Sequence, residues 1–212
     1  MRSLKLVALT LSLFPPLLFN SCGSFVDQAD QMVVSARDQM VVSVRDQKML
    51  LIKEGQAVKT YPVSTSKFGL GSQRGSYRTP LGNHVIAKKI GGGAPKGTVF
   101  TSRRRTRSIV KPNTPGRDPI VTRILWLSGR DRHNRNTYGR CVYIHGTTAE
   151  YKIGRPASYG CIRMKSIDII DLYRRVGVGA GVKIIRGSLN TIRTGRTYYA
   201  KRGGRERATA TR

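Results

Sequence analysis

Acidic residues are scarce in this chain. Eleven Asp and Glu face 39 Lys and Arg, which leaves a formal net charge of +28 and a pI near 11.2. Such a balance favours anionic partners and excludes cationic ones. Histidine and cysteine are equally sparse, three of each; none falls at paired ligand spacing, so no metal and no cofactor is expected. Three cysteines in 212 residues also exclude a disulfide-built scaffold. The apolar run from Leu6 to Phe19 is broken by Pro15-Pro16 and falls short of the ~20 residues a spanning helix needs. No nucleic-acid-binding module accompanies the charge, so no specific nucleic-acid partner is expected. What is present, 39% hydrophobic residues, suffices for one core-bearing domain with appendages.

The chain opens on an export signal over residues 1–22, with Arg2 and Lys5 ahead of the apolar run and small residues at Ser21-Cys22-Gly23-Ser24. Leu18-Phe19-Asn20-Ser21-Cys22 is a relaxed lipoprotein box. Two outcomes stay open: Cys22 is lipidated and attaches the protein to a membrane, or it is discarded with the signal. Both place the mature protein outside the cytoplasm, in a periplasm or cell envelope. Residues 23–46 form a spacer containing a duplication, Asp30-Gln31-Met32-Val33-Val34-Ser35-Ala36-Arg37 followed by Asp38-Gln39-Met40-Val41-Val42-Ser43-Val44-Arg45. An eight-residue period is too short for a solenoid; it either lengthens the spacer or adds a strand ahead of the domain.

Residues 47–186 carry the domain signals. Met49–Ile52 and Ala57–Tyr61 flank Glu54-Gly55 as a hairpin. His84–Ala87 and Ile120–Leu127 read as strands, the second central, and Val182–Ile185 closes the domain as another. The basic run of residues 101–119 reads as a solvated loop. Ser166 is placed to N-cap a helix whose apolar face is Ile169, Leu172, Tyr173 and Val176. Many short strands with one or two short helices predict a mostly β domain. The tail, residues 187–212, is basic, with Tyr198-Tyr199 among its arginines, and reads as a tether to anionic envelope surfaces.

The chemistry concentrates between His145 and Met164. His145 and Cys161 stand sixteen positions apart, a histidine and a cysteine suited to a nucleophile and its base. A thiol with a free pKa of about 8.5 needs a base to generate thiolate near neutrality. His84 and His133 have no nucleophile beside them. Gly160 permits a sharp turn that aims backbone N–H groups at a developing oxyanion. Cys141 alternates with Tyr143 and His145, as on a strand delivering the base, and reads as a core residue.

His145-Gly146-Thr147, Ile153-Gly154-Arg155-Pro156-Ala157-Ser158 and Gly160-Cys161-Ile162-Arg163-Met164 together resemble the signature of the L,D-transpeptidase catalytic domain, the YkuD-like family. Tyr61-Pro62-Val63-Ser64-Thr65-Ser66, Thr79-Pro80-Leu81-Gly82 and Asp171-Leu172-Tyr173 extend the likeness over about residues 47–186. The family usually has His directly before the Gly-Cys pair, and Tyr159 stands there. The resemblance implies a β-sandwich-like fold with the cysteine in a cleft, and peptidoglycan stem peptides as substrates. It casts Cys161 as nucleophile and His145 as base, with the Gly146 carbonyl orienting the imidazole. Backbone N–H groups around Tyr159, Gly160 and Cys161 would hold the oxyanion. Arg163 is placed to pair with a substrate carboxylate, its alternative being a structural salt bridge, and Ser158 to donate a hydrogen bond in the cleft. Two other functions stay open: a hydrolytic L,D-carboxypeptidase or cysteine peptidase with the same two residues, and a non-catalytic cationic envelope-binding protein.

Overall fold

A computed structural model describes residues 38–210; the export signal, Cys22 and the first copy of the duplication lie outside the described residues. Ten strands succeed one another: β1 (Asp38–Ser43), β2 (Lys48–Lys53), β3 (Gln56–Pro62), β4 (Gly82–Ile90), β5 (Thr98–Thr101), β6 (Arg104–Ile109), β7 (Ile120–Gly129), β8 (Tyr143–Thr147), β9 (Ile162–Met164) and β10 (Gly181–Ile185). Helix α1 (Ser166–Arg175) lies between β9 and β10, and α2 (Arg193–Ala210) follows. The fold is mostly β. The hairpin of β2 and β3 turns on Glu54 and Gly55, both at positive φ (50° and 75°), the geometry that matches strand twist in a two-residue turn.

The second copy of the duplication is a strand, not a spacer. β1 pairs antiparallel with β2 and parallel with β10, so among the described residues the sheet already includes Asp38, ahead of the boundary expected at residue 47. Met40 and Val42 enter the main core while Val41 faces a second cluster behind the sheet. A strand buried on both faces shows no polar alternation, which is why the sequence left this stretch undecided. The basic run of residues 101–119 is likewise more than loop. β5 and β6 form a hairpin turning on Ser102 and Arg103, at φ 47° and 66°, with the arginines of β6 exposed.

The sheet runs β3-β2-β1-β10-β4-β7-β5-β6, with β8 on β7 and β9 on β8. β7 is long enough to pair with β4 and β5 as well as β8. Beyond β3 the chain meets β9: Ser64 and Arg163 exchange backbone hydrogen bonds at 3.0 and 2.9 Å, joining the β3 end of the sheet to the β8–β9 branch. One core fills the enclosed space with Met49, Leu51, Tyr61, Leu125, Ile144 and Ile162 among its fully buried members. Opposite β8, β7 is bulged at Thr122, whose φ is 73°. Gly146 is needed at this crossing, since a Cβ there would lie 2.6 Å from the Val121 carbonyl oxygen.

α1 packs Ile169, Leu172 and Val176 into the core with Tyr173 against it. Ser166 is the first residue of the helix rather than its cap. Its hydroxyl accepts from Thr122 Oγ1, and its N–H donates to Glu150 Oε1 at 2.7 Å. A carboxylate at a helix N-terminus satisfies a free donor and complements the dipole. In the tail, Tyr198 and Tyr199 pack with Ile192 against Val41, Leu50 and Ile52. This half of the tail is an ordered helix on the sheet. Met40→Ala, lying outside the boundary expected from sequence, should lower unfolding free energy by about 2–5 kcal/mol, as read by urea denaturation; an unchanged midpoint would remove β1 from the core.

Candidate active site

The parallel pairing of β8 with β9 sets Ile144 beside Ile162, His145 beside Arg163 and Gly146 beside Met164. Side chains alternate along each strand, and register partners point to the same face. Ile144, Ile162 and Met164 therefore enter the core, all fully buried, and the opposite face receives Tyr143, His145, Cys161 and Arg163. Register thus sets His145 beside Arg163, and Cys161, one residue ahead of β9, brings its sulfur to the Tyr143 N–H two residues before the imidazole. Cys161 is half-buried at a cleft of about 240 Å³ lined by Tyr77, Arg140, Cys141, Val142, Tyr159 and Gly160.

His145 is 5% exposed, and its Nδ1 lies 2.8 Å from the Gly146 carbonyl oxygen. Only a protonated Nδ1 makes that bond, so neutral His145 keeps Nε2 as an acceptor. Burial pushes the imidazole pKa down to about 4; the Gly146 carbonyl opposes this, and the Arg163 charge adds to it. Cys161 Sγ receives the Tyr143 N–H at 3.4 Å and donates to the Cys141 carbonyl at 3.6 Å. Burial pushes its thiol up to about 11, against that N–H and the nearby charges of Arg163 and Arg140. At neutral pH both groups are uncharged. Among the described residues no hydrogen bond joins the sulfur to the imidazole.

The turn before Cys161 is braced from within. Gly160 adopts φ 112°, a region open to glycine. Ser158 is fully buried; its hydroxyl accepts from Gly160 N–H at 3.2 Å and donates to the Cys161 carbonyl at 2.6 Å. The donor role expected of Ser158 toward a substrate is thereby replaced by a bracing one, and the Gly160 N–H is committed as well. Arg163 takes the salt-bridge alternative: 9% exposed, it places Nη1 2.9 Å from Asp118 Oδ2. Tyr159 is 56% exposed. Its hydroxyl accepts from Lys67 Nζ at 3.2 Å, and its ring meets those of Phe68 and Tyr77 at 5.5 and 5.9 Å. Cys141 is not on the strand but in the turn ahead of it, at φ 56°, with a free thiol. His84 and His133 stay apart: His84 is buried against Gly82 and Thr137, and His133 meets Leu81.

Asp118 was missed by sequence reasoning. Its Oδ1 accepts from the hydroxyls of Thr147 and Thr148 and from the N–H groups of Thr148 and Ala149. It ties the segment after His145 to the arginine after Cys161. Burial opposes ionisation, but those bonds and Arg163 hold its pKa below the ordinary carboxylate value. The signal was available: Asp118 is the single acid between Glu54 and Asp131.

A family model of the L,D-transpeptidase catalytic domain (YkuD) matches residues 37–184. The chain belongs to that family. Among curated relatives of this L,D-transpeptidase domain, the probable L,D-transpeptidase YbiS of Escherichia coli K12 is 45% identical over 47 residues, 22% of this chain and 15% of its own length. The putative L,D-transpeptidase YqjB of Bacillus subtilis is 40% identical over 50 residues, 24% of this chain and 28% of its own. The chain thus spans less than a third of either relative. The structure of an L,D-transpeptidase from Mycobacterium smegmatis aligns with TM-score 0.46 at 15% identity, over 71% of this chain and 59% of that one.

A neutral pair at rest fixes the reactivity of the thiol. Alkylation of Cys161 by iodoacetamide, followed by peptide mass mapping, should keep rising through pH 9 and 10 toward an inflection near 11. A plateau already reached near pH 7 would mean a resting thiolate–imidazolium pair.

Proposed function

We propose that this chain is an exported, cysteine-dependent L,D-transpeptidase acting on peptidoglycan stem peptides outside the cytoplasm. The observation carrying the reading is the position of Cys161 directly ahead of the strand paired with that of His145, its sulfur on the Tyr143 N–H, with Nδ1 tied to Gly146 and Nε2 left to accept a proton. With the imidazole at about 4 and the thiol at about 11, a standing ion pair is disfavoured, and the proton moves as the sulfur attacks. The transfer requires Sγ to leave the Cys141 carbonyl and turn toward Nε2 by rotation about the Cys161 Cα–Cβ bond.

In the first half-reaction Sγ attacks the carbonyl carbon of the diamino acid at stem position three, and the thiol proton passes to His145 Nε2. The N–H groups of Tyr159 and Cys161 receive the oxyanion, that of Gly160 being occupied by Ser158. The C–N bond then breaks, and Nε2 returns its proton to the departing D-amino acid, leaving a thioester. In the second half-reaction an acceptor amine attacks the thioester and gives a proton to Nε2. The sulfur leaves and recovers that proton, and a new peptide bond joins two stems. Water in place of the amine gives hydrolysis. Neutral Cys161 and His145 suit both halves, because each begins and ends without net charge on either residue.

Incubation of the full chain with wall peptides and an added amine acceptor should yield joined products, detected by mass. Cys161→Ala and His145→Ala should each lower turnover by at least about a thousandfold. Tyr159→His keeps the backbone N–H at that position and should change turnover only modestly, since the hydroxyl it removes is bonded to Lys67 and is not a hydrogen-bond partner of the sulfur. Fragments released without joining would make the chain a hydrolase. Full turnover in Cys161→Ala would end the cysteine mechanism, while wall binding without any turnover in the parent would leave an envelope-binding protein.

A further inference from the structure

A cavity of about 780 Å³ lies between α2 and the β2–β3 turn and shares no wall residue with the thiol cleft. Residues 55–57 form one side of it, and Arg193, Thr194, Thr197, Lys201 and Arg202 of α2 form the other. Among the described residues no acid lines the hollow. Glu54, next to one wall in sequence, is an exposed turn residue outside it. Arg193 and Lys201 are exposed and have no ion-pair partner among the described residues, while Arg202 Nη1 donates to the Tyr198 hydroxyl at 3.2 Å. Like charges gathered around one concavity repel, and an anion bound among them relieves the repulsion.

The whole chain is basic, so position rather than charge sets these cations apart. Arg193, Thr197 and Lys201 follow at intervals of four and lie on one face of the helix. That helix is fixed to the sheet. Tyr198 and Tyr199 pack with Ile192 on Val41, Leu50 and Ile52, and Gly195 comes so close to the Leu189 carbonyl oxygen that a Cβ there would overlap it. The arginines of β6, by contrast, project from an exposed hairpin strand.

The hydrogen bonds define which anion fits. The tyrosines of α2 are already used on the sheet, which leaves its cations and hydroxyls to meet a ligand. The Thr197 hydroxyl donates to the Arg193 carbonyl at 3.1 Å, so its oxygen is left to accept. A phosphate ester without hydroxyls has nothing to donate there; one carrying a polyol does. A hollow of about 780 Å³ also has room for more than a bare anion. We infer that this cavity binds a phosphodiester carrying a polyol, with Arg193 and Lys201 on the phosphate and the Thr197 oxygen accepting from a ligand hydroxyl. Such a unit occurs both as a lipid headgroup and along a soluble polymer, and the two sources are separable by experiment. No residue of the thiol cleft takes part, so the site stands apart from the transpeptidase reading. Its consequence is attachment: the chain is held to an anionic partner through α2 while the thiol cleft stays open.

The test titrates the full chain with glycerophosphoglycerol by calorimetry, using dimethyl phosphate as a diester of equal charge without hydroxyls. Glycerophosphoglycerol should bind about fivefold more tightly than dimethyl phosphate. Arg193→Gln with Lys201→Gln should lower its affinity at least about tenfold, while Arg104→Gln with Arg107→Gln, an equal loss of exposed charge on β6, should leave it unchanged. Arg193→Lys with Lys201→Arg keeps both charges and should keep binding, which separates loss of the site from loss of the helix. Equal losses in the two glutamine pairs would overturn the site in favour of a general field effect. Equal binding of the two diesters would overturn the polyol assignment. Sedimentation with phosphatidylglycerol vesicles, against phosphatidylcholine vesicles, names the source: retention lost in the Arg193→Gln, Lys201→Gln chain gives a lipid headgroup, and binding of the soluble diester without retention gives a polymer. Neither binding nor retention would overturn the site altogether.

Discussion

The pairing of two short parallel strands is the constraint on which the site depends. β9 is three residues long and β8 is five, yet their register decides which side chains meet. A shift of one residue would send Cys161 and Arg163 into the core and bring Ile162 out. The register is held on three sides. β8 lies against the bulged β7, Gly146 admits the Val121 carbonyl where a Cβ would not fit, and Ser64 clamps Arg163 through two backbone hydrogen bonds. Asp118 adds a polar tie between the ends of the two strands. The fold's large core thus serves a small purpose, keeping one sulfur and one imidazole on the same surface.

Burial then decides the electrical state of the two groups. Both are desolvated, and desolvation favours the neutral form of each. His145 is driven down and Cys161 up. The stability consequence of His145 follows from its direction. Unfolded histidine protonates below about 6.5, while the folded residue resists until about 4. Stability is therefore full above the unfolded value and is lost as pH falls between the two. An uncharged site also fits the surrounding field. In a chain this basic, a resting imidazolium would add one more cation beside Arg163, whereas a neutral ring adds none.

Much of this was legible in the sequence, and the limits have physical causes. The Glu54-Gly55 hairpin, the central β7 and the apolar face of α1 follow from turn chemistry and periodicity, which are local properties. His145 and Cys161 stand out by residue type and spacing, whereas the backbone partners that hold them, the Gly146 carbonyl and the Tyr143 N–H, come only with the fold. β1 was not, because a strand buried on both faces loses the alternation that marks it. Ser158 and Ser166 were assigned plausible partners by proximity, but hydroxyls bond whatever the fold brings closest: for Ser158 its own turn, for Ser166 the Thr122 bulge. Asp118 lies 43 residues from Cys161 in sequence and joins the site only through tertiary pairing. Among 39 basic residues, composition does not distinguish one held in an ion pair, such as Arg163 with Asp118, from those that face open solvent.

The account stands on a neutral imidazole with its proton on Nδ1, poised to take another at Nε2. Nitrogen-15 NMR of the histidine rings, with His84→Asn and His133→Asn variants to assign the signals, reads this directly. His145 should appear as the neutral Nδ1–H form from pH 8 downward and take up its second proton near pH 4. A ring already doubly protonated at pH 7, or a neutral ring with its proton on Nε2, would contradict the account.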